Sequence, residues 1–319
     1  MRLMVWTEET FKLVREGIDA ARRCREISLS KDWDEILNQR SSQINLPSDN
    51  ITSIDIVIFH VQVPAHASKI STPDIKGGEQ ANIDYRGLLE LNIKIALWSE
   101  PRARVIVFTD SEFALDLKRS ERLNIVRLHV NQSEPMFERV VTMASYIRSE
   151  AFFRPAIFLD IDAFLIHPVS YLFNNNFDVG LTHRHIVGQM PINEGVIFAN
   201  SLDKERVKKF FDSYLASYLA AEESREVSEI YQNIRRWRGG QLAINAAAGG
   251  FQGYSTSLHE TEYGTNIAYL PCSKYNLSQI DEREVTKDLR NRCCVLHLKG
   301  NRKGWINRLK DSLSNSGFC

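Results

Sequence analysis

From Ile51 onward the chain alternates short apolar runs with longer stretches whose apolar residues recur every three to four positions. The runs IDIVIF, ARVIVFTD, IVRLHV and AIFLDID read as strands. The stretches Tyr85 to Trp98, one from Ser111, and Phe137 to Ser149 read as helices between them. Such alternation predicts parallel strands covered by helices, with ligands at the carboxyl ends of the strands. Asp110 and Asp160 stand at such ends. Beyond Asp162 the order becomes mixed, with DVGLTH and GVIFAN as short strands. A helix follows whose Val207, Phe210, Phe211, Tyr214, Leu215, Tyr218 and Leu219 share one face, a core stripe rather than an aromatic ligand box. Residues 1–49 read as two amphipathic helical segments, Glu8 to Glu26 and Lys31 to Arg40, closed by the polar LPSDN. The expected class is therefore α/β, a Rossmann-like mixed sheet flanked by helices over 50–319, behind an N-terminal helical extension over 1–49. Glu222 to Arg238 is polar and charged, and reads as an exposed helix or an acceptor-side lid.

Composition narrows the partners. The chain's 319 residues are 43% hydrophobic, enough to bury a full core. Its 40 basic and 40 acidic residues balance, which removes the electrostatic case for nucleic acid or an acidic membrane. MRLMVWTEETFKLVREG lacks an apolar signal region, and no later stretch approaches a membrane span. Five cysteines, with Cys293 and Cys294 adjacent, make no disulfide framework, so a reducing, cytoplasmic compartment is expected. Asn50, Asn131 and Asn276 begin Asn-x-Ser/Thr matches, too short a pattern to imply secretion in a chain this long.

The chemistry concentrates in two segments. In AIFLDIDAFLIHP a buried strand runs into Asp160 and Asp162, whose carboxylates can converge on one hard divalent cation, and that cation can hold a diphosphate. Taken alone, the pair equally suits two turn aspartates capping a strand. In CCVLHLKGNRKGW, His297 is a possible metal ligand, Gly300 permits a tight backbone approach, and Lys299, Arg302 and Lys303 can neutralise phosphate oxygens. Taken alone, that segment suits a structural histidine and a solvated basic face. Together the two segments predict a metal–nucleotide site.

These residues resemble the motifs of the family 8 retaining glycosyltransferases, the glycogenin and lipopolysaccharide galactosyltransferase group, which have a GT-A fold. The family's Asp-x-Asp matches Asp160 and Asp162, and its late His-x-x-Gly-x-x-Lys-Pro-Trp matches His297, Gly300, Lys303 and Trp305, with Gly304 in place of the proline. Its Asn-x-Gly-Val strand is similar to PINEGVIFAN, with Asn193, Gly195, Val196 and, at the variable position, Glu194. Its Asp-Gln-x-x-x-Asn motif is similar to GGQLAIN, which keeps Gln241 and Asn245 but has Gly240 for the aspartate. The family's early aspartate-bearing nucleotide loop is replaced by FHVQVPAHA. The motif order spans Ile51 to Lys310.

The resemblance implies transfer of a sugar from a nucleotide-diphosphate donor, a UDP-sugar, to a glycan, lipid-linked or protein hydroxyl, with retention. Asp160, Asp162 and His297 would gather Mn²⁺ or Mg²⁺. Lys303, with Lys299, Arg302 and Gly300, would hold the diphosphate, while Asp110 and Arg139 are further nucleotide-side candidates. Arg139 also fits a helix-surface arginine. Gln241 and Asn193, with Asp162, form the expected catalytic group, and Glu194 beside Asn193 on a strand should point the other way. Two alternatives stand beside this. One is a non-catalytic sugar-nucleotide or carbohydrate binder on the same scaffold. The other is a haloacid-dehalogenase-like phosphatase using Asp160 and Asp162, which would need a downstream Ser/Thr where the only candidate strand threonine, Thr109, lies upstream.

Overall fold

Alternation inside each apolar run decides which helix covers which face of the sheet. A computed structural model describes residues 29–47, 52–63, 83–110, 120–184, 191–225, 239–249, 258–286, 288–314 and 317–318. The segment from Glu8 to Glu26, Asn50, the helix expected from Ser111 and the stretch 226–238 lie outside these residues. Helix α1 (Lys31–Ser42) leads into β1 (Ile54–Phe59), α2 (Tyr85–Ser99), β2 (Ala103–Thr109) and β3 (Leu123–Arg127). Then come α3 (Pro135–Arg148), β4 (Ala156–Leu159), β5 (Ala163–Leu165), β6 (Val179–His183) and β7 (Ile192–Ala199). The chain continues through α4 (Lys204–Glu223), α5 (Gly239–Ala247), β8 (His259–Glu260), β9 (Asn266–Pro271), β10 (Val295–His297) and α6 (Ile306–Ser314).

Eight strands form one mixed sheet in the order β3-β2-β1-β4-β7-β6-β9-β8, while β5 and β10 pair as a separate ribbon. Strands β3, β2, β1 and β4 run parallel, and β7 joins β4 antiparallel. Ile56, Ile58, Val105 and Val107 pack with Leu89 and Ile93 of α2 on one face. Val57, Ile106, Phe108 and Phe158 pack with Val140 and Tyr146 of α3 and Phe211 of α4 on the other. Both faces are covered, so β1, β2 and β4 are largely apolar, with the buried Asp55 of β1 and Arg104 of β2 paired at 2.8 Å. The seven residues of the α4 stripe are all buried, as core residues. Leu88, Leu91 and Ile95 on the outer side of α2 meet Phe164, Leu296, Leu298, Leu309 and Leu313, which seats the β5–β10 ribbon and α6 on that helix.

The strand expected over IVRLHV stops at Arg127, and the Leu128 N–H instead reaches back to the Thr109 carbonyl at 2.9 Å. Helix α1 belongs to the main packing. Leu37 is buried in the α3 cluster, Arg40 pairs with Glu138 at 2.7 Å, and Arg148 joins Asp34 to Asp212 of α4. Among the described residues no helix is long and apolar enough to cross a membrane, and Cys272, Cys293 and Cys294 are free thiols.

Candidate metal and nucleotide site

Strand β4 ends at Leu159, and its last neighbour fixes where the carboxylates emerge. The Asp160 N–H donates to the Gly195 carbonyl on β7 at 2.9 Å, and the Ala163 N–H closes a turn onto the Asp160 carbonyl at 2.9 Å. Buried Asn92 of α2 holds that turn from beneath, its amide nitrogen lying 3.2, 2.9 and 3.0 Å from the carbonyls of Asp160, Ile161 and Ala163. Strand β5 leaves the turn and pairs antiparallel with β10 so that Ala163 faces His297. The ladder therefore delivers His297 to Asp162. Its Nε2 lies 3.1 Å from Asp162 Oδ1 and 3.7 Å from Asp160 Oδ2, and one ligand atom from each of the three lies within 4.8 Å of the others.

A hydrogen-bond chain orients the imidazole. Asn276 gives its amide N–H groups to Asn193 Oδ1 and Thr182 Oγ1, both at 2.8 Å, which leaves its Oδ1 to accept from His297 Nδ1 at 2.8 Å. This network assigns the proton to Nδ1 and turns the bare Nε2 toward the two carboxylates. Burial also lowers the histidine's proton affinity, against the pull of Asp162, so the ring is neutral. A neutral imidazole lone pair facing two carboxylates is electrostatically unfavourable, and a hard or borderline cation relieves it. The donor set, two carboxylates and one imidazole, fits a divalent cation. Glycine at 195 is required here, since a β-carbon would fall 2.7 Å from His297 Nδ1 and 2.8 Å from Asp160 Oδ2.

Two cations frame the cluster. Lys303 Nζ lies 2.8 Å from Asp162 Oδ2. Burial opposes the Asp162 charge, yet the Lys303 ammonium outweighs it and holds the carboxyl well below the usual carboxylate range. Arg139 departs from the surface arginine that its place on an amphipathic helix suggested. It is buried beside the adjacent central strands β4 and β7, 3.1 Å from Asp160 Oδ1 and 3.5 Å from Glu194 Oε2, and donates to the Glu194 carbonyl at 2.8 Å. Glu194 lies on the opposite face of β7 from Asn193, where Tyr214 donates to it at 2.8 Å. Its carboxylate crowds Gly240. A β-carbon at 240 would sit 2.9 Å from Glu194 Cδ and inside contact distance of a carboxylate oxygen.

The remaining candidates occupy other positions. Gln241 donates to the Ile192 carbonyl at 3.2 Å, and Asn245 donates to that carbonyl and accepts the Ile192 N–H, both at 3.2 Å, so the Gln-x-x-x-Asn pair ties α5 to the start of β7. Gly300, with φ of +58°, opens a 3₁₀ turn over Gly300–Trp305 in which Arg302 lies over the Trp305 ring. Lys299 is pushed down to about 8 by burial and by neighbouring Arg184. Asp110 ends β2, two strands from β4, and accepts the Gln62 N–H at 2.7 Å, a structural clip for the loop after β1. Thr109, needed by the phosphatase alternative, is buried at the same distance across the sheet, roughly 10 Å at strand spacing. Sequence reasoning missed Asn92 and Asn276. Asn276 stood out only as a glycosylation match, yet its side chain is buried and fully engaged.

No protein-family model and no curated protein matches the chain. In fold the chain is similar to GT-A type glycosyltransferases among the solved structures. The galactosyltransferase LgtC in complex with donor and acceptor sugar analogs is 11% identical, with a TM-score of 0.46 over 83% of this chain and 100% of that one. The glycosyltransferase GlyE of Streptococcus pneumoniae is 11% identical, with a TM-score of 0.43 over 83% of this chain and 64% of that one. A glycosyltransferase involved in the glycosylation of the major capsid of PBCV-1 is 12% identical, with a TM-score of 0.41 over 81% and 99%.

Proposed function

We propose that this chain is a metal-dependent glycosyltransferase that moves a sugar from a nucleotide-diphosphate donor, a UDP-sugar, to a hydroxyl of a glycan, lipid-linked or protein acceptor, with retention. The observation that carries the reading is the convergence of Asp160, Asp162 and the bare Nε2 of His297 at the carboxyl end of β4. When bound there, Mn²⁺ or Mg²⁺ supplies Lewis-acid stabilisation of the charge that develops on the leaving diphosphate. The chain's own residues do the rest. Asn276 keeps Nε2 free of a proton, so ligation requires no deprotonation of the ring. Arg139 fixes the rotamer of Asp160 by binding one of its oxygens. Lys303 adds ammonium donors on the Asp162 side, where they meet the same phosphate oxygens.

Asn193 and Gln241 take the sugar end, acting through Asn276 and the Ile192 peptide that they hold. Uracil and retention follow from the motif resemblance. A neutral amide is a poor nucleophile, and Glu194 is held on the far face of β7 by Tyr214 and Arg139. Front-face attack by the acceptor hydroxyl is therefore the route assigned.

Asp160→Asn and Asp162→Asn test the reading. Each should remove the Mn²⁺-dependent part of UDP binding while the protein still folds, with a lower unliganded melting temperature because Arg139 or Lys303 loses a partner. In the parent, UDP at a hundredfold its Kd should stabilise by about 2.7 kcal/mol. A folded Asp162→Asn protein with unchanged Mn²⁺-dependent UDP affinity would falsify the metal assignment.

A further inference from the structure

Beneath the Asp160–Asp162 turn lies a polar side chain that core packing alone does not account for. Leu88, Leu89, Leu91, Ile93, Ile95 and Ala96 are the buried apolar residues of α2, and Asn92 stands among them, fully buried. Its amide nitrogen faces the carbonyls of Asp160, Ile161 and Ala163 at 3.2, 2.9 and 3.0 Å. The opposite orientation would set its oxygen against three oxygens, so the amide has one acceptable placement. In that placement Asn92 Oδ1 is buried with no hydrogen-bond partner. A stranded acceptor destabilises a core, and an apolar residue of similar size would not carry that cost.

The turn has a second clamp. The Leu298 N–H donates to the Asp162 carbonyl at 2.9 Å. Each carbonyl from Asp160 to Ala163 therefore has a donor of its own, and none is left for an ion held by the carboxylates. Ala163 is also the residue that β5 pairs with His297, so the amide that holds its carbonyl fixes the start of the ladder that carries the third ligand. One ligand atom from each of Asp160, Asp162 and His297 remains for the ion. Ca²⁺ takes about six to eight oxygens, backbone carbonyls among them, in flexible geometry. A site closed to backbone oxygens, with an imidazole among its donors, disfavours Ca²⁺ relative to a first-row ion such as Mn²⁺.

We infer that Asn92 is a positioning residue of the metal site. By engaging the carbonyls of the turn it presets the spacing of the two carboxylates and withholds backbone oxygens from the ion, which favours Mn²⁺ over Ca²⁺. Without the amide the peptides of the turn are free to rotate, which loosens the carboxylates and releases oxygens that Ca²⁺ can use. The inference rests on the metal reading of the cluster and deepens it.

The test is titration of the full chain with Mn²⁺ alone, followed by the loss of its free electron-paramagnetic-resonance signal, and with Ca²⁺ alone, followed by calorimetry. The parent should bind Mn²⁺ at least tenfold more tightly than Ca²⁺. Asn92→Leu, which keeps the bulk and removes the donors, should weaken Mn²⁺ at least tenfold and narrow the preference at least threefold. Asn92→Ser, a smaller disturbance of the core, should narrow it in the same direction, so the outcome does not depend on the leucine variant folding. Ile93→Val, at the next position of α2 and packed with β1 and β2, should lower the urea midpoint yet leave both constants within twofold of the parent. Unchanged Mn²⁺ affinity in the folded Asn92 variants, or equal weakening of both ions, would overturn the inference, and so would the same shift in Ile93→Val. A parent that binds no Mn²⁺ would sink the metal reading itself, and this inference with it.

Discussion

Gly195 is the residue on which the cluster's geometry turns. Its missing side chain lets the His297 ring and the Asp160 carboxylate lie against β7, and an alanine methyl would overlap both. Gly195→Ala should therefore cost about 1–3 kcal/mol of stability, as overpacking does, and should weaken Mn²⁺ binding even where the protein still folds. Chemical denaturation and Mn²⁺ titration on the same preparation check this, and unchanged metal affinity would argue that His297 does not need its present position. His60 offers a second test, through pH. Its ring stacks on Tyr85, and burial, opposed by Asp110, lowers its pKa to about 4. Between about 6.5 and 4 the unfolded chain binds a proton there that the folded chain refuses, so stability falls as pH drops through that window and levels below it. The loss attributable to His60 is about 3 kcal/mol. Urea unfolding at pH 7.5 and pH 4 should show a smaller difference for His60→Gln than for the parent, and an equal difference would relocate the pH dependence to another group.

Between elements, the contact of β7 with α5 explains a departure in the motifs. Position 240 has no side chain where the motif that GGQLAIN resembles has a carboxylate, and the space such a side chain would take is occupied by the carboxylate of Glu194 on the neighbouring strand. Tyr214 of α4 and Arg139 of α3 hold that carboxylate, so three elements meet on it. Burial raises the Glu194 pKa, with Arg139 opposing. Gly240→Ala and Glu194→Ser are thus expected to be coupled. Each alone should destabilise, whereas the double variant should be more stable than the sum of the two by at least about 1 kcal/mol, because removing the carboxylate frees room for the methyl. Additive effects in a double-mutant cycle would show that the strand and helix separate to absorb the clash. Asn193 and Gln241, expected from sequence in the catalytic group, turn their amides to Asn276 and to the Ile192 carbonyl. Strand alternation predicted that Asn193 and Glu194 would part, and they do, but it could not say what each would meet.

For the whole molecule, α1 is packed as part of the main core. Leu37 is fully buried against α3, and Arg148 bridges Asp34 to Asp212. Leu37→Ala should destabilise by about 2–5 kcal/mol, with unfolding remaining a single transition. A separate early transition would make α1 an independent unit. The parallel β1–β4 half, the mixed order after Asp162, the α4 stripe and the Asp160–Asp162 pair at a strand end were all legible in the chain, because each depends on local periodicity or on residues two apart. Three things depended on tertiary structure. His297 reaches Asp162 only through the β5–β10 ladder, which joins segments far apart in sequence. Asn276, part of an ordinary Asn-x-Ser match, becomes the support of His297 because β6, β7 and β10 meet around it. Arg139, on an amphipathic helix that pattern alone would let point outward, is buried because two carboxylates from other strands neutralise it there. Local pattern determined the elements and the chemistry they could offer; the partners of each charge were decided by long-range pairing, whose energy no single segment contains.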